Sequence, residues 1–166
     1  TAIGLDGDWN VVISDNTLSA AEIKTINAGT SGTIDISAAT TISSSTISDI
    51  LEIVNNTGAT FTTADNYAVT VSDNAITAAN ANKLLGDTTG IVTATVTATG
   101  TVSALNTALS NASATDALTL VLDATSASAS DLNTLNGKTS VNIDASSITD
   151  ITSSTADNIN TMVTNK

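Results

Sequence analysis

The sequence predicts an α/β repeat solenoid of about six strand–helix coils on a parallel sheet, with a right-handed parallel β-helix as the alternative. Three observations predict it. A helix-start signal recurs about every 27 residues, a short β-branched run lies between successive helices, and large side chains are too scarce for a thick core. Of 166 residues, 32 are Thr, 20 Ser and 25 Ala, while one Trp, one Tyr and one Phe are the whole aromatic content. Burial must then come from thin repeated layers of Ile, Val, Leu and Ala.

The helices are read from their caps. Ser19, Thr46, Thr77, Thr101, Ser128 and Ser154 are spaced 27, 31, 24, 27 and 26 residues apart. Four of the six carry an acid three places on, Glu22, Asp49, Asp131 and Asp157, where a capping box or the helix dipole places one. Positions four, seven and eight after each cap are mostly apolar: Ile23 and Ile26, Ile50 with Ile53 and Val54, Leu84 and Leu85, Leu105 and Leu109, Leu132 and Leu135. That spacing is one helical face. The last unit departs by one place, with Ile159 and Met162 carrying the apolar stripe. Leu18 and Ile76 precede their caps as hydrophobic staples. Gly29, Gly58, Gly86 and Gly137 follow the stripe where a left-handed C-terminal cap wants Gly.

The strands are the runs 11–14, 33–37, 69–72, 91–97, 118–123 and 141–144. One strand and one helix per coil, with no long hairpin signal, lets successive strands pair in parallel, and the result resembles a leucine-rich-type horseshoe or rod. Residues 3–5 read as an added N-terminal strand, and the stretch 55–67, which holds Phe61 and Tyr67, reads as a bulging loop or an extra strand. The chain is thus one solenoid domain over 1–166, with coils of roughly 1–30, 31–58, 59–88, 89–113, 114–138 and 139–166.

Composition also excludes functions. A net charge of −12 lacks the basic footprint that nucleic-acid binding requires. His, Cys and Arg are all absent, which removes imidazole shuttles, thiolates, zinc cages and bidentate anion clamps. No run approaches the ~18 apolar residues of a membrane span, and no signal peptide is visible at the start.

The phrases VSDNAITAANANKLL, TTGIVTA, DLNTLNGKTS and NIDASSITDITSSTAD resemble the Thr/Ala/Asp-rich repeat arrays of very large secreted or surface proteins of bacteria, notably marine cyanobacteria, and of their phages. The resemblance runs from about Val11 onward. It implies a surface or adhesive role at an extracellular location, and it brings no catalytic residues. The glycine-rich calcium repeats that accompany such arrays are missing here.

Three surface features compete as sites. Asp6, Asp8 and Asn10 stand at the first, third and fifth places of an EF-hand-like loop, making calcium the one cofactor the residues point to; Val11 and Thr17 then occupy the Gly and Glu places. Thr93, Thr95, Thr97 and Thr99 alternate with Ala94, Val96 and Ala98, so one strand face would offer hydroxyls to a glycan, a cell surface or ice. Asp15, Asp73, Asp123 and Asp144 lie at strand ends, where they either share a rim that binds cations or each cap a turn. Neither end of the chain shows a charged capping element, so the array continues or its subunits stack end to end. The sequence therefore points to a non-enzymatic extracellular building block that polymerises through its ends into a filament or surface layer. An adhesin or phage-fibre segment is the alternative.

Overall fold

The computed structural model describes residues 6–165. Within them the chain is α/β, with parallel sheets and six helices. Two compact units are formed, one from the residues up to Asp73 together with Gly86–Val92, the other from Asn74–Leu85 and the residues from Thr93 onward. The expected strand at 3–5 lies outside the described residues.

The first unit runs β1 (Val11–Val12), β2 (Thr17–Ser19), α1 (Ala20–Asn27), β3 (Thr33–Ile36), β4 (Thr41–Ser45), α2 (Ile47–Val54), β5 (Thr60–Thr63) and β6 (Ala68–Val71). β1, β3 and β5 pair in parallel, as do β2, β4 and β6. Partners recur 23 to 27 residues apart: Val11 faces Ile34 and Ile34 faces Phe61, while Leu18 faces Ile42 and Ile42 faces Val69. The alternation within β3 buries Ile34 and Ile36, and Ile23, Ile50 and Ile53 close the layer from the helices.

The second unit takes β7 (Ile76–Thr77), α3 (Ala78–Asp87) through Leu85, β8 (Val92–Ala98) from Thr93, α4 (Val102–Ala108), β9 (Ala117–Leu122), β10 (Ser126–Ser128), α5 (Ala129–Asn136), β11 (Asp150–Thr152) and α6 (Ala156–Thr164). β8 pairs with β7 and β9, and β10 pairs with β11, again in parallel. Its core is Val96, Leu105, Leu109, Leu118, Leu120 and Leu135.

Several expectations need correction. Most coils carry two short strands, because the residues before the cap, such as Leu18 in β2 and Ala127 in β10, are themselves extended and buried. The run 141–144 contributes only an isolated bridge, Asp144 to Val121. The stretch 55–67 takes the second of its two expected forms, an extra strand, β5, and both of its aromatics are buried, with the Tyr67 hydroxyl donating to Asp87. Burial and the Asp87 carboxylate both push that phenol's pKa up. The last helix is capped by Thr155, whose hydroxyl accepts from the Asn158 N–H, and this removes the one-place departure of the final repeat. Of the four glycines assigned to left-handed caps, only Gly58 has a positive φ, +88°; Gly137 is right-handed and Gly86 lies inside α3.

A device the sequence reading missed holds both units. Thr30, Thr88 and Thr139, each following a helix, are buried threonines that bolt one coil to the coil before it. In the first unit the Thr88 hydroxyl donates to the Tyr67 carbonyl at 2.6 Å and accepts from the Gly90 N–H at 3.0 Å; Thr30 does the same between the Trp9 carbonyl and Gly32. Gly is required two places on, since an added Cβ would sit 2.3 Å from the Tyr67 oxygen at Gly90 and 2.4 Å from the Trp9 oxygen at Gly32. In the second unit Thr139 bonds both the N–H and the carbonyl of Leu118.

Candidate functional site

Helix positions are counted here from the N-cap residue. In the first unit Lys24, fifth after Ser19, places its ammonium 2.7 Å from Asp49 and 3.0 Å from Glu52, which are third and sixth after Thr46. In the second unit Asn106, fifth after Thr101, donates to the carbonyl of Asp131, third after Ser128, and Asn133 donates in the same way to the carbonyl of Asn158, third after Thr155; both bonds are 2.9 Å. The first N–H of a helix also reaches the following coil: Ala20 donates to the Ser45 hydroxyl, Ala129 to the Ser154 hydroxyl, and Ile47 to the Asp73 carboxylate. Ser154, taken from sequence as a cap of its own helix, thus caps the helix before it. At these three places the fifth position of one helix reaches the third of the next, with Glu52 at the sixth added for Lys24, whereas Asn82, fifth after Thr77, bonds Ser110 and Asn111 past the end of α4. The recurrent Asn five places after Thr101 and Ser128 was the available signal.

Lys24 and its two acids are a structural bridge rather than an acid/base pair. The ammonium beside Asp49 is the main cause holding its carboxyl below the ordinary range, with the Thr46 hydroxyl adding to it, and the two carboxylates raise Lys24 in turn. An unfolded Asp titrates near pH 4, so the stabilisation is complete above that value and is lost as pH falls through the depressed native one. The raised Lys24 loses its share only as pH climbs past the ordinary Lys range. Melting curves of wild type and Lys24→Met should accordingly differ by a constant, small amount from about pH 5 to 9 and converge in acid.

Asp6 and Asp8 are exposed, but the Asn10 side-chain oxygen accepts from the Thr33 N–H at 2.7 Å, and the Gly7 carbonyl accepts from Ser31. The segment is tied backward onto the next coil. Among the described residues no group of three acidic side chains is placed to hold a metal. The rim acids are used singly: the Ser146 hydroxyl and then its N–H hold the Asp144 pKa down, Asp123 accepts from Gly100 and Asp73 from Ile47, while Asp15 is exposed.

β8 does present a hydroxyl face. Thr93 and Thr97 are exposed and Thr95 half-buried, opposite buried Ala94, Val96 and Ala98; Thr99 is exposed just past the strand. Thr95 stands beside Thr119, and Thr97 lies between Thr77 and Val121. The face is therefore mixed, with a 54% exposed Val121 among its hydroxyls.

The second unit ends on an open apolar concavity of about 460 Å³, lined by Leu132, Ile143, Ile148, Ile151, Met162 and Val163 and rimmed by asparagines. Each of the first five helices buries at least two apolar side chains, whereas α6 buries none. Ile151 is 41%, Ile159 38% and Val163 47% exposed. Ile159 and Val163 are the fourth and eighth positions after Thr155 in the cap-based pattern, left uncovered, and Ile151 lies on β11 beside them. No helix among the described residues is long and apolar enough to cross a membrane. No protein-family model, curated protein or solved structure matches the chain, which leaves the open face rather than kinship as the guide to function.

Proposed function

We propose that the chain is an α/β repeat solenoid that serves as a non-enzymatic, extracellular structural protein, its subunits joining end to end into a filament or surface layer. The open face of α6 and β11 carries this reading. A solenoid coil buries its apolar layer only against a neighbouring coil, and three large aliphatic side chains in water favour any arrangement that supplies one. The parallel pairing at a spacing of about 24 residues, as in Ser126 facing Asp150, supports the repeat character. The likeness to Thr/Ala/Asp-rich arrays supports the extracellular setting, and the lack of His, Cys and Arg speaks against catalysis. Acidic flanks would keep such a polymer soluble.

The test is particle size by light scattering with electron microscopy, in calcium and then in chelator, at rising ionic strength. Long regular particles are expected. At −12 per subunit, raising salt from about 10 mM to 150 mM shortens the screening length from about 30 to 8 Å and should lengthen them. Loss of the particles in chelator would assign the exposed acids, Asp6 and Asp8 among them, a bridging role. A monomer under every condition overturns the reading. The adhesin alternative, supported by the outward threonines of β8, then becomes the one to pursue with a glycan-binding screen.

A further inference from the structure

We infer that Asn136 is a self-modifying site, where the chain converts an asparagine to aspartate and isoaspartate and so lengthens the tether to the Thr139 bolt, whether or not subunits assemble. Of the 17 asparagines, Asn136 alone is followed by glycine. It is the last residue of α5, it is exposed, and its side-chain amide has no hydrogen-bond partner among the described residues. Asn10, Asn27, Asn82 and Asn133, by contrast, have their side chains tied to a neighbouring coil. The backbone does not require the glycine. Gly137 has an ordinary right-handed φ of −73°, and an added Cβ would meet nothing closer than the Thr134 oxygen at 3.4 Å, unlike the crowded Gly32 and Gly90. What the missing Cβ does is leave the Gly137 nitrogen open to the Asn136 side chain.

The Gly137 nitrogen, on losing its proton, attacks the Asn136 side-chain carbonyl carbon. The bond from that carbon to the amide nitrogen breaks, and ammonia leaves with the proton. Water then opens the resulting cyclic imide at one of its two carbonyls, which either restores the backbone as aspartate or reroutes it through the side chain as isoaspartate. One water is consumed, one ammonia is released, and nothing is oxidised or reduced. The Gly137 N–H is held only by the last turn of α5, to the Asn133 carbonyl at 3.2 Å, and helix ends fray. The consequence falls on the next two residues. Lys138 reaches the Leu109 carbonyl at 2.8 Å, and Thr139 bonds the N–H and the carbonyl of Leu118. Isoaspartate adds a methylene to the backbone just ahead of both, and either product sets a carboxylate at the negative end of the α5 dipole.

The experiment holds the whole chain in warm, mildly alkaline buffer and follows it by peptide-mapping mass spectrometry, with chromatography separating the two products. Asn136 should convert ahead of every other asparagine, and faster as pH rises, because the attacking nitrogen must lose a proton. G137A, which the local backbone accommodates, should slow the conversion about tenfold or more by crowding the ring closure. Amide hydrogen exchange on the aged chain should show lost protection at the Leu118 N–H, whereas N136D, which adds the charge without the methylene, should keep most of it. Conversion no faster at Asn136 than at the exposed Asn74 and Asn160, or undiminished in G137A, overturns the site. Leu118 protection that is unchanged in the aged chain, or lost equally in N136D, overturns the lengthened tether.

Discussion

Leu118→Asp should unfold the second unit. Leu118 is fully buried on β9, paired with Ala94, and both of its backbone groups are bonded to the Thr139 hydroxyl. The substitution removes a large core side chain, worth about 2–5 kcal/mol, and leaves a carboxyl with no partner in an apolar layer, costing several more whether it ionises or is forced neutral. That total rivals the whole stability of a small domain, about 5–15 kcal/mol. Val121→Asp is the control, three residues along the same strand but 54% exposed on its other face, and it should change stability by less than about 0.5 kcal/mol. Thermal melting followed by amide hydrogen exchange would check both. Protection of β8 and β9 that survives Leu118→Asp would mean that the layer is not the core it is described as.

Thr139→Val, although it keeps the side chain's shape, should cost the second unit about 2–4 kcal/mol. The hydroxyl donates to the Leu118 carbonyl at 2.8 Å and accepts the N–H groups of Leu118 at 3.0 Å and Val141 at 3.2 Å. A valine leaves those two donors unsatisfied at a site only 6% exposed, and each such orphan costs about 1–3 kcal/mol. The melting temperature should fall on the order of 10–20 °C. Thr97→Val, exposed on β8, should be nearly neutral. An equally small effect at both positions would mean that Thr139 fills space and bolts nothing.

Every helix start but the last was legible in the sequence, since a Ser or Thr before a helical apolar stripe is a local signal and the structure realises it at Ser19, Thr46, Thr77, Thr101 and Ser128. The β-branched runs that became β3, β6, β8 and β9 were legible, as was the outward threonine face of β8, whereas the short strands just before the caps and the lone bridge at Asp144 were not. Ser154 misled because two adjacent hydroxyls both fit a cap. Only the third dimension shows that Thr155 caps α6 while Ser154 reaches back to Ala129.

Local pattern and composition by themselves determined that the chain is α/β, where every helix but the last starts, which side of each helix is apolar, and that its charge is acidic. Tertiary structure alone decided what the polar residues outside the helix caps do. Whether Thr139 is a bolt or a solvent hydroxyl, which N–H the Asn10 side chain accepts from, and whether Ile151 and Val163 are covered depend on the residue standing one coil away, more than twenty positions distant. A hydrogen bond or a buried contact is a property of a pair. The sequence sets one partner at a time, and the register between coils chooses the other.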